Sequence, residues 1–141
     1  MNAWSHLPNA HHIDRTIESV KENPEIWSAS WNASWNATMA AYDAARDAAW
    51  AAAARSAARD ATRDAAMDAA SDATRGAAWC AAWYAAWAAT AALIVYDDAS
   101  KYLEMSSDQL RVWAILSEDP AAVLLLPAVI AFERIRELEL T

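Results

Sequence analysis

Residues 27–90 decide the fold of this chain, and they read WSAS WNAS WNAT MAAY DAAR DAAW AAAA RSAA RDAT RDAA MDAA SDAT RGAA WCAA WYAA WAAT. The stretch consists of sixteen consecutive four-residue units, and the third position of every unit is alanine. Alanine has the strongest intrinsic preference for α-helix, and the stretch contains no proline and only one glycine, Gly76. The repeat therefore predicts helix, because a strand would need alternation with a period of two.

The four-residue period does not match the turn of an α-helix. Four residues rotate by about 400°, so each position of the unit drifts by about 40° per repeat. As one helix the stretch would be about 96 Å long, much longer than a compact domain of this size. Either the molecule is extended and oligomeric or the repeat breaks into two or three helices. We expect breaks, within residues 54–60 or at Gly76, and a fold-back there would bring the tryptophans of both ends together.

The whole chain predicts a single all-α domain, a compact bundle of about five helices. Residues 1–26 form a lead-in and a short helix, residues 27–90 form the repeat, and residues 91–141 form the C-terminal helices. Helix starts are indicated at Asn23-Pro24-Glu25, at Ser106 with Gln109, and at Asp119-Pro120.

Apolar patterns predict which sides of these helices are buried. One face of the first helix carries Ile13, Ile17 and Val20. We expect residues 121–132, which are apolar all round, to be central, with a kink at Pro127. The helix after Ser106 is expected to bury these residues: Leu110, Trp113, Ala114 and Leu116.

The formal net charge of −8 is unevenly distributed, with about −2 from residues 1–26, −1 from the repeat and −5 from residue 91 onward. This balance disfavours direct binding of nucleic acid. A single cysteine, Cys80, excludes an intramolecular disulfide and suits a reducing cytoplasm. Residues 1–10 lack the basic start and apolar run of a secretory signal. Residues 76–96 carry no charge and are long enough to span a membrane, but their alanine and tryptophan content favours a buried helix.

The ends of the chain and its repeat together resemble a family of alanine-rich proteins encoded in bacteriophage and bacterial genomes. The likeness rests on LPNAHHID at residues 7–14, the run of DAAR and DAAW units, ALIVYDD at residues 92–98 and LLLP at residues 124–127. No activity is established for this family, so the resemblance implies origin and fold more than mechanism. By analogy, small phage proteins of this kind are often inhibitors of host defence.

Two clusters of polar residues are candidate chemical sites. The first, a candidate metal site, comprises His6, His11, His12 and Asp14. The second, a candidate acid–base or cation site, comprises Asp97, Asp98 and Glu104. In each cluster two adjacent residues diverge on a helix, so surface roles are preferred. We expect no catalytic residues, no metal site and no cofactor, and therefore a protein that is not an enzyme.

The repeat contains two rows of candidate binding residues, and neither pattern is specific to one role. The basic row is Arg55, Arg59 and Arg63, and the aromatic row is Trp79, Trp83 and Trp87. The arginines lie four residues apart and could receive an anionic ligand. They could equally form a solvated face that pairs with the aspartates of the repeat. The tryptophans could anchor a partner protein or only fill the core.

Three functional hypotheses follow. The first is a non-enzymatic, phage-type protein that binds and inhibits a host protein in the host cytoplasm, such as a component of bacterial defence, in an anti-defence or anti-CRISPR-like role. Its acidic ends and any exposed tryptophan would make the contact. The second is a sponge for an anionic small molecule such as a signalling nucleotide. The third is a structural or membrane-associated helical protein, although a membrane partner is not expected; a homo-oligomer is left open.

Overall fold

The computed structural model describes residues 7–56, 77–117 and 119–139, and every regular element within these ranges is a helix. The α-helices are α1 (Ala10–Glu22), α2 (Pro24–Ser56), α3 (Ala77–Val95), α4 (Ser107–Ser117) and α5 (Pro120–Glu139), and a 3₁₀ helix (Ala99–Glu104) lies between α3 and α4. The predicted all-α bundle is confirmed. These ranges contain one helical segment more than the five or so expected, because the link between α3 and α4 is itself helical.

The described parts of the repeat form two long helices, α2 and α3. α2 continues without interruption for 33 residues, which corresponds to about 50 Å. It packs against both α3 and α5, and α3 also packs against α1 and α5. The predicted break within residues 54–60 falls at the end of α2 and beyond it, and residues 57–60 and Gly76 lie outside the described residues.

The four-residue pattern rotates around α2 as its period predicts. At the first position of the unit, Trp27 is fully buried, whereas Asp43 and Asp47, four and five units later, are exposed. The residue type thus changes from tryptophan to aspartate where rotation carries this position from the core into solvent. The alanine position moves the opposite way, since Ala29 is exposed and Ala49 is fully buried.

The buried side of α2 shifts from the fourth position of the unit to the third. It contains Ser30, Ser34, Thr38, Tyr42, Ala45 and Ala49. The interval is four residues as far as Tyr42 and three from there to Ala45, which brings the row back towards the 3.6 residues of a helical turn. The first three of these side chains donate hydroxyl hydrogen bonds of 2.7–2.9 Å to carbonyl oxygens three or four residues earlier. Because the hydroxyls are satisfied within α2, they can face the core.

The centre of the bundle is the first half of α5 packed against α2 and α3. Residues 121–132 are buried apart from the half-buried Ile130, as their uniform apolarity predicts. Trp27 of α2 contacts Phe132 edge-to-face with ring centroids 5.5 Å apart, and its indole Nε1 donates a 3.0 Å hydrogen bond to the Ser19 hydroxyl. α5 continues through Pro127 to Glu139.

α3 is a buried helix, as its lack of charge suggested. Ala81, Ala82 and every residue from Ala85 to Ile94 are buried. None of the helices in the described ranges combines the length and the apolarity that a membrane crossing requires. Cys80, near the start of α3, is a free and exposed thiol.

The start of α2 agrees with the sequence in part. The helix begins at Pro24 with Glu25 in its first turn. The Asn23 side chain, which the sequence predicts as the cap of α2, instead donates from its amide to the Ser19 carbonyl oxygen at 3.3 Å. The same carbonyl accepts the Asn23 backbone N–H at 2.9 Å, and the Asn23 carbonyl accepts the Trp27 backbone N–H at 3.1 Å. This single residue between the two helices therefore contributes hydrogen bonds to both helix ends.

The predicted caps of α4 and α5 are confirmed. At α4 the Gln109 backbone N–H donates to the Ser106 hydroxyl at 3.2 Å, and the Ser106 backbone N–H donates to the Gln109 side chain at 3.4 Å. At α5, which begins at Pro120, the Asp119 carboxylate accepts a 3.0 Å hydrogen bond from the Ala121 backbone N–H. Residue pairs at these spacings therefore place two helix starts correctly.

A buried asparagine at the start of α1 joins the N-terminal segment to the end of α3. Asn9 is only 2% exposed, and its amide nitrogen donates to the carbonyl oxygens of Leu93 and Tyr96, both at 2.9 Å. Carbonyl groups in the last turn of a helix have no partner within that helix, so this amide satisfies that of Leu93 from another element. The Tyr96 carbonyl, just beyond α3, also accepts the Ala99 backbone N–H at 3.0 Å. The Asn9 amide thus links the start of α1 to the end of α3.

We expect Asn9→Ala to lower the free energy of unfolding by about 1–3 kcal/mol, because it removes two hydrogen bonds and leaves the Leu93 carbonyl oxygen without the Asn9 donor. Urea denaturation followed by circular dichroism measures the loss. The matched control is Asn32→Ala at an exposed position of α2, which should change stability by no more than about 0.5 kcal/mol. Equal effects of the two substitutions would contradict the role given to Asn9.

Candidate functional site

The structure brings together only part of the predicted binding rows. Trp83 and Trp87, on α3, line a common cavity. Arg55 lies on α2 and Trp79 on α3, but their side chains are outside the described residues, as are Arg59 and Arg63 altogether. The hypothesis of an anion-binding arginine row therefore stays a prediction.

The cavity lies between α2 and α3 and has a volume of about 310 Å³. Its lining consists of Tyr42, Arg46, Asp47, Trp50, Trp83, Tyr84 and Trp87. Tyr42 and Trp87 are almost completely buried, whereas Tyr84 is 44% exposed and the two charged side chains are exposed. The cavity is thus aromatic in its depth and charged at its rim.

The rings around the cavity are inclined to one another. Trp50 and Trp87 have centroids 6.3 Å apart at an interplanar angle of 40°. Trp83 and Tyr84 meet edge-to-face at 4.8 Å and 74°. The buried Nε1–H of Trp83 has no acceptor among the described residues. The cavity therefore offers several ring faces in different directions.

An aromatic cluster next to the cavity joins the two tryptophan-rich parts of the repeat. Trp31 of α2 stacks on Tyr84 of α3 with centroids 5.4 Å apart and an angle of 20°. Trp31 also stacks on Trp35 at 5.8 Å, and both rings contact Tyr42 edge-to-face. The two parts of the repeat meet as expected, but through a tyrosine between the later tryptophans.

The rim of the cavity carries one charge of each sign, Arg46 and Asp47, with Asp43 beside it. The Arg46 guanidinium lies 3.7 Å from Asp43 and 3.6 Å from Asp47, and about half or more of each of the three side chains is exposed. Exposed ion pairs of this kind contribute little to stability and are easily rearranged. The two charged lining residues therefore cancel, and the carboxylate of Asp43 lies next to the lining as an additional negative charge.

A second surface, the exposed face of α4, contradicts a sequence prediction. Leu110 and Ala114 are fully buried as expected, but Trp113 is 48% exposed and Leu116 is 76% exposed. The prediction of a buried Trp113 and Leu116 is wrong because α4 packs mainly on α5, which covers only the side with residues 110 and 114. The other apolar side chains, Val112 and Ile115, are also more than half exposed.

Polar contacts hold α4 in place on the bundle. The Glu133 carboxylate on α5 accepts hydrogen bonds from the backbone N–H and the hydroxyl of Ser107, each at 2.6 Å. The Trp113 indole Nε1 donates to the Tyr102 hydroxyl at 3.2 Å, and that hydroxyl donates in turn to Asp119. The apolar face formed by Val112, Trp113, Ile115 and Leu116, here called the α4 face, is therefore presented by a fixed helix.

The two polar clusters considered from sequence form no joint site in the structure. Asp97, Asp98 and Glu104 are all exposed, and Asp98 pairs with Lys101 at 2.9 Å, which lowers the pKa of this aspartate through the hydrogen bond from the lysine. His11 and His12 contact each other edge-to-face at 5.6 Å, and His6 is outside the described residues. The part of the chain that is described holds no group of three His, Cys, Asp or Glu residues arranged for a metal.

Sequence reasoning missed most of the cavity lining. Tyr42 and Trp50 are aromatic residues at the fourth position of the unit, where alanine, serine and threonine dominate, and Tyr84 is the one aromatic residue at the second position. These departures from the repeat pattern are the sequence feature that could have identified the cavity lining. For the α4 face the signal was the run Val112–Leu116, which has more apolar side chains than one side of a helix can bury.

Compared with family models, curated proteins and solved structures, the chain matches none of them. What the structure defines is a class, an all-α bundle with an aromatic cavity and an exposed apolar helix face. The resemblance to alanine-rich phage and bacterial proteins stays a prediction.

The buried hydroxyl of Tyr42 should make the protein less stable at alkaline pH. Burial raises its pKa above the ordinary 10.0, an effect that nearby Arg46 partly opposes. The unfolded chain therefore loses this proton first, so the free energy of unfolding is unaffected below about pH 10 and falls above it.

Tyr42→Phe should reduce this fall without abolishing it, because the pKa values of Tyr96 and Tyr102 are also raised by burial. Urea denaturation of both proteins at pH 8 and at steps above about pH 10 measures the two slopes. Identical slopes would show that the Tyr42 hydroxyl is not held in a low-dielectric environment.

Proposed function

We propose that this chain is a non-enzymatic protein that binds another protein through the α4 face and inhibits it. The observation that carries the proposal is the exposure of four neighbouring apolar side chains, Val112, Trp113, Ile115 and Leu116, on one short helix. Single exposed apolar residues are common on proteins, but a contiguous group of them is typical of interaction sites.

The spacing of the α4 face suits recognition of a helix by a groove. Val112, Ile115 and Leu116 are three and four residues apart and lie along one side of α4, which is the anchor pattern of helices that bind in apolar grooves. Trp113 lies at the edge of this side, where its indole is hydrogen-bonded to Tyr102. Tryptophan is among the residue types that most often dominate the binding energy of an interface. Because Glu133 fixes α4, little conformational entropy would be lost on binding.

The charge around the α4 face indicates the chemistry of the partner. The region from residue 91 onward contributes −5 of the net −8, and Asp108, at the start of α4, is 93% exposed beside Arg111. Asp108 and Arg111 cancel locally, so the acidity belongs to the region as a whole, and it favours a partner whose groove is apolar at its centre and basic around it. We therefore propose a basic groove on a host protein as the occupant, in preference to a second copy of this acidic chain.

The biological setting of the proposal comes from the resemblance. A phage-type protein with this face would act in the host cytoplasm, and a component of bacterial defence is the partner that such an origin suggests. The exposure of Asp97, Asp98 and Glu104 supports a non-enzymatic role, since these carboxylates face solvent instead of an enclosed site.

Replacing Ile115 or Leu116 with glutamine should abolish partner binding and leave the fold intact. Both side chains are more than half exposed, so the free energy of unfolding should change by no more than about 0.5 kcal/mol. Loss of an interface anchor of about 2 kcal/mol or more corresponds to at least about a 30-fold weaker affinity.

The measurement begins with capture of the partner from bacterial lysate by the tagged wild-type protein. The purified partner is then titrated against wild type, the two variants and the control Leu138→Gln, an apolar residue of similar exposure on α5. We expect the control to bind and inhibit like wild type. The proposal is wrong if all four proteins bind the partner equally, or if the α4 face mediates only a dimer that the glutamine variants dissolve.

A further inference from the structure

The aromatic cavity between α2 and α3 has no role in the binding proposed for the α4 face. Five of its seven lining residues are aromatic, and three of these are tryptophans. The face of an aromatic ring carries partial negative charge, so a cation is attracted to it, most strongly by tryptophan. Its volume of about 310 Å³ is at the lower end of the range for small-ligand sites.

The arrangement of the rings favours a compact group over a flat one. A flat ring stacked on both sides needs two nearly parallel walls about 7–8 Å apart, twice a normal carbon contact. Trp50 and Trp87 are instead tilted by 40° with centroids at 6.3 Å, and Trp83 and Tyr84 form a corner of 74°. A compact group can touch several of these inclined faces at once.

The charge around the cavity also favours a cation. Asp47 in the lining and Asp43 beside it together outnumber Arg46, and the whole chain carries −8. An anionic ligand would have to displace two carboxylates from the guanidinium, whereas a cationic ligand would gain a carboxylate. The Arg46 guanidinium would therefore compete with a cationic ligand for the carboxylate.

We propose that this cavity is a cage for an organic cation, a methylated ammonium, ammonium or guanidinium group. The group sits against Trp50, Trp83 and Trp87 with Asp47 at the mouth of the cage. Two sources share this chemistry, a free small molecule and a basic side chain of a partner protein. The cage goes beyond the proposed function and is independent of the α4 face.

The first experiment titrates the purified full-length protein with choline and with its uncharged isostere, 3,3-dimethylbutan-1-ol. Indole N–H signals in ¹H–¹⁵N NMR spectra, assigned by single Trp→Phe variants, report the site. Choline should shift the signals of Trp50, Trp83 and Trp87 and leave that of the fully buried Trp27 unchanged. The isostere should bind at least about fivefold more weakly, because it lacks the cation–π attraction. Equal binding of the two compounds, or no shift with any cation tested, overturns the proposal.

Exposed rim residues give a test that does not disturb the core. Asp47→Asn should weaken choline binding about two- to fivefold, and Arg46→Gln should strengthen it by a similar factor. The control Asp108→Asn removes the same charge from α4 and should have no effect. Weaker binding of choline to Arg46→Gln, or tight binding of inorganic phosphate that this variant loses, would mean that the cavity is an anion site.

A further titration separates the two sources of the cation. N-acetyl-arginine amide and N-acetyl-lysine amide are compared with choline under the same conditions. Preference for choline identifies a free small molecule, and preference for either amino-acid derivative identifies a partner side chain; both results support the cage. Leu116→Gln, which should abolish partner binding, should leave all these affinities unchanged, so the two proposals can fail separately.

Discussion

The constraint on which this structure depends is the mismatch between a four-residue repeat and a helix of 3.6 residues per turn. In α2 the mismatch carries the first position of the unit from the core, at Trp27, to solvent, at Asp43. A strict repeat would expose tryptophan at one end or bury aspartate at the other. The chain avoids both by changing the residue at the drifting position and by shortening one interval on the buried side, between Tyr42 and Ala45.

The buried sides of α2 and α3 consist largely of small side chains. Such side chains allow close packing but bury little apolar area per residue. The core of α3 is mostly alanine, and the buried side of α2 combines alanines with serines and a threonine whose hydroxyls bond to their own helix. The larger contributions come from the leucine-rich half of α5 and from Trp27 against Phe132. Where large aromatic residues stand in place of small ones, at Tyr42, Trp50 and Tyr84, the cavity lies between α2 and α3.

Much of the fold could be predicted from local patterns. Helical class, a central position for residues 121–132, and the starts of α4 and α5 follow from residue preferences and from caps that act over two or three residues. The predictions that were wrong concern partners at a distance. The Asn23 side chain bonds to α1 instead of capping α2, and Trp113 and Leu116 face outward, because the outcome at each position depends on which neighbouring helix is within reach.

By itself, then, the sequence determined that the chain is helical, that no helix face could remain buried through a strict four-residue repeat, and where most of its helices start, because these properties depend on short-range backbone geometry. Tertiary structure alone decided that Trp83 and Trp87 share a cavity with Tyr42 and Trp50, that Asn9 joins α1 to the end of α3, and that one side of α4 stays uncovered. The physical reason is that a periodic pattern indicates which side of a helix is apolar, whereas tertiary packing determines which other helix, if any, lies against that side.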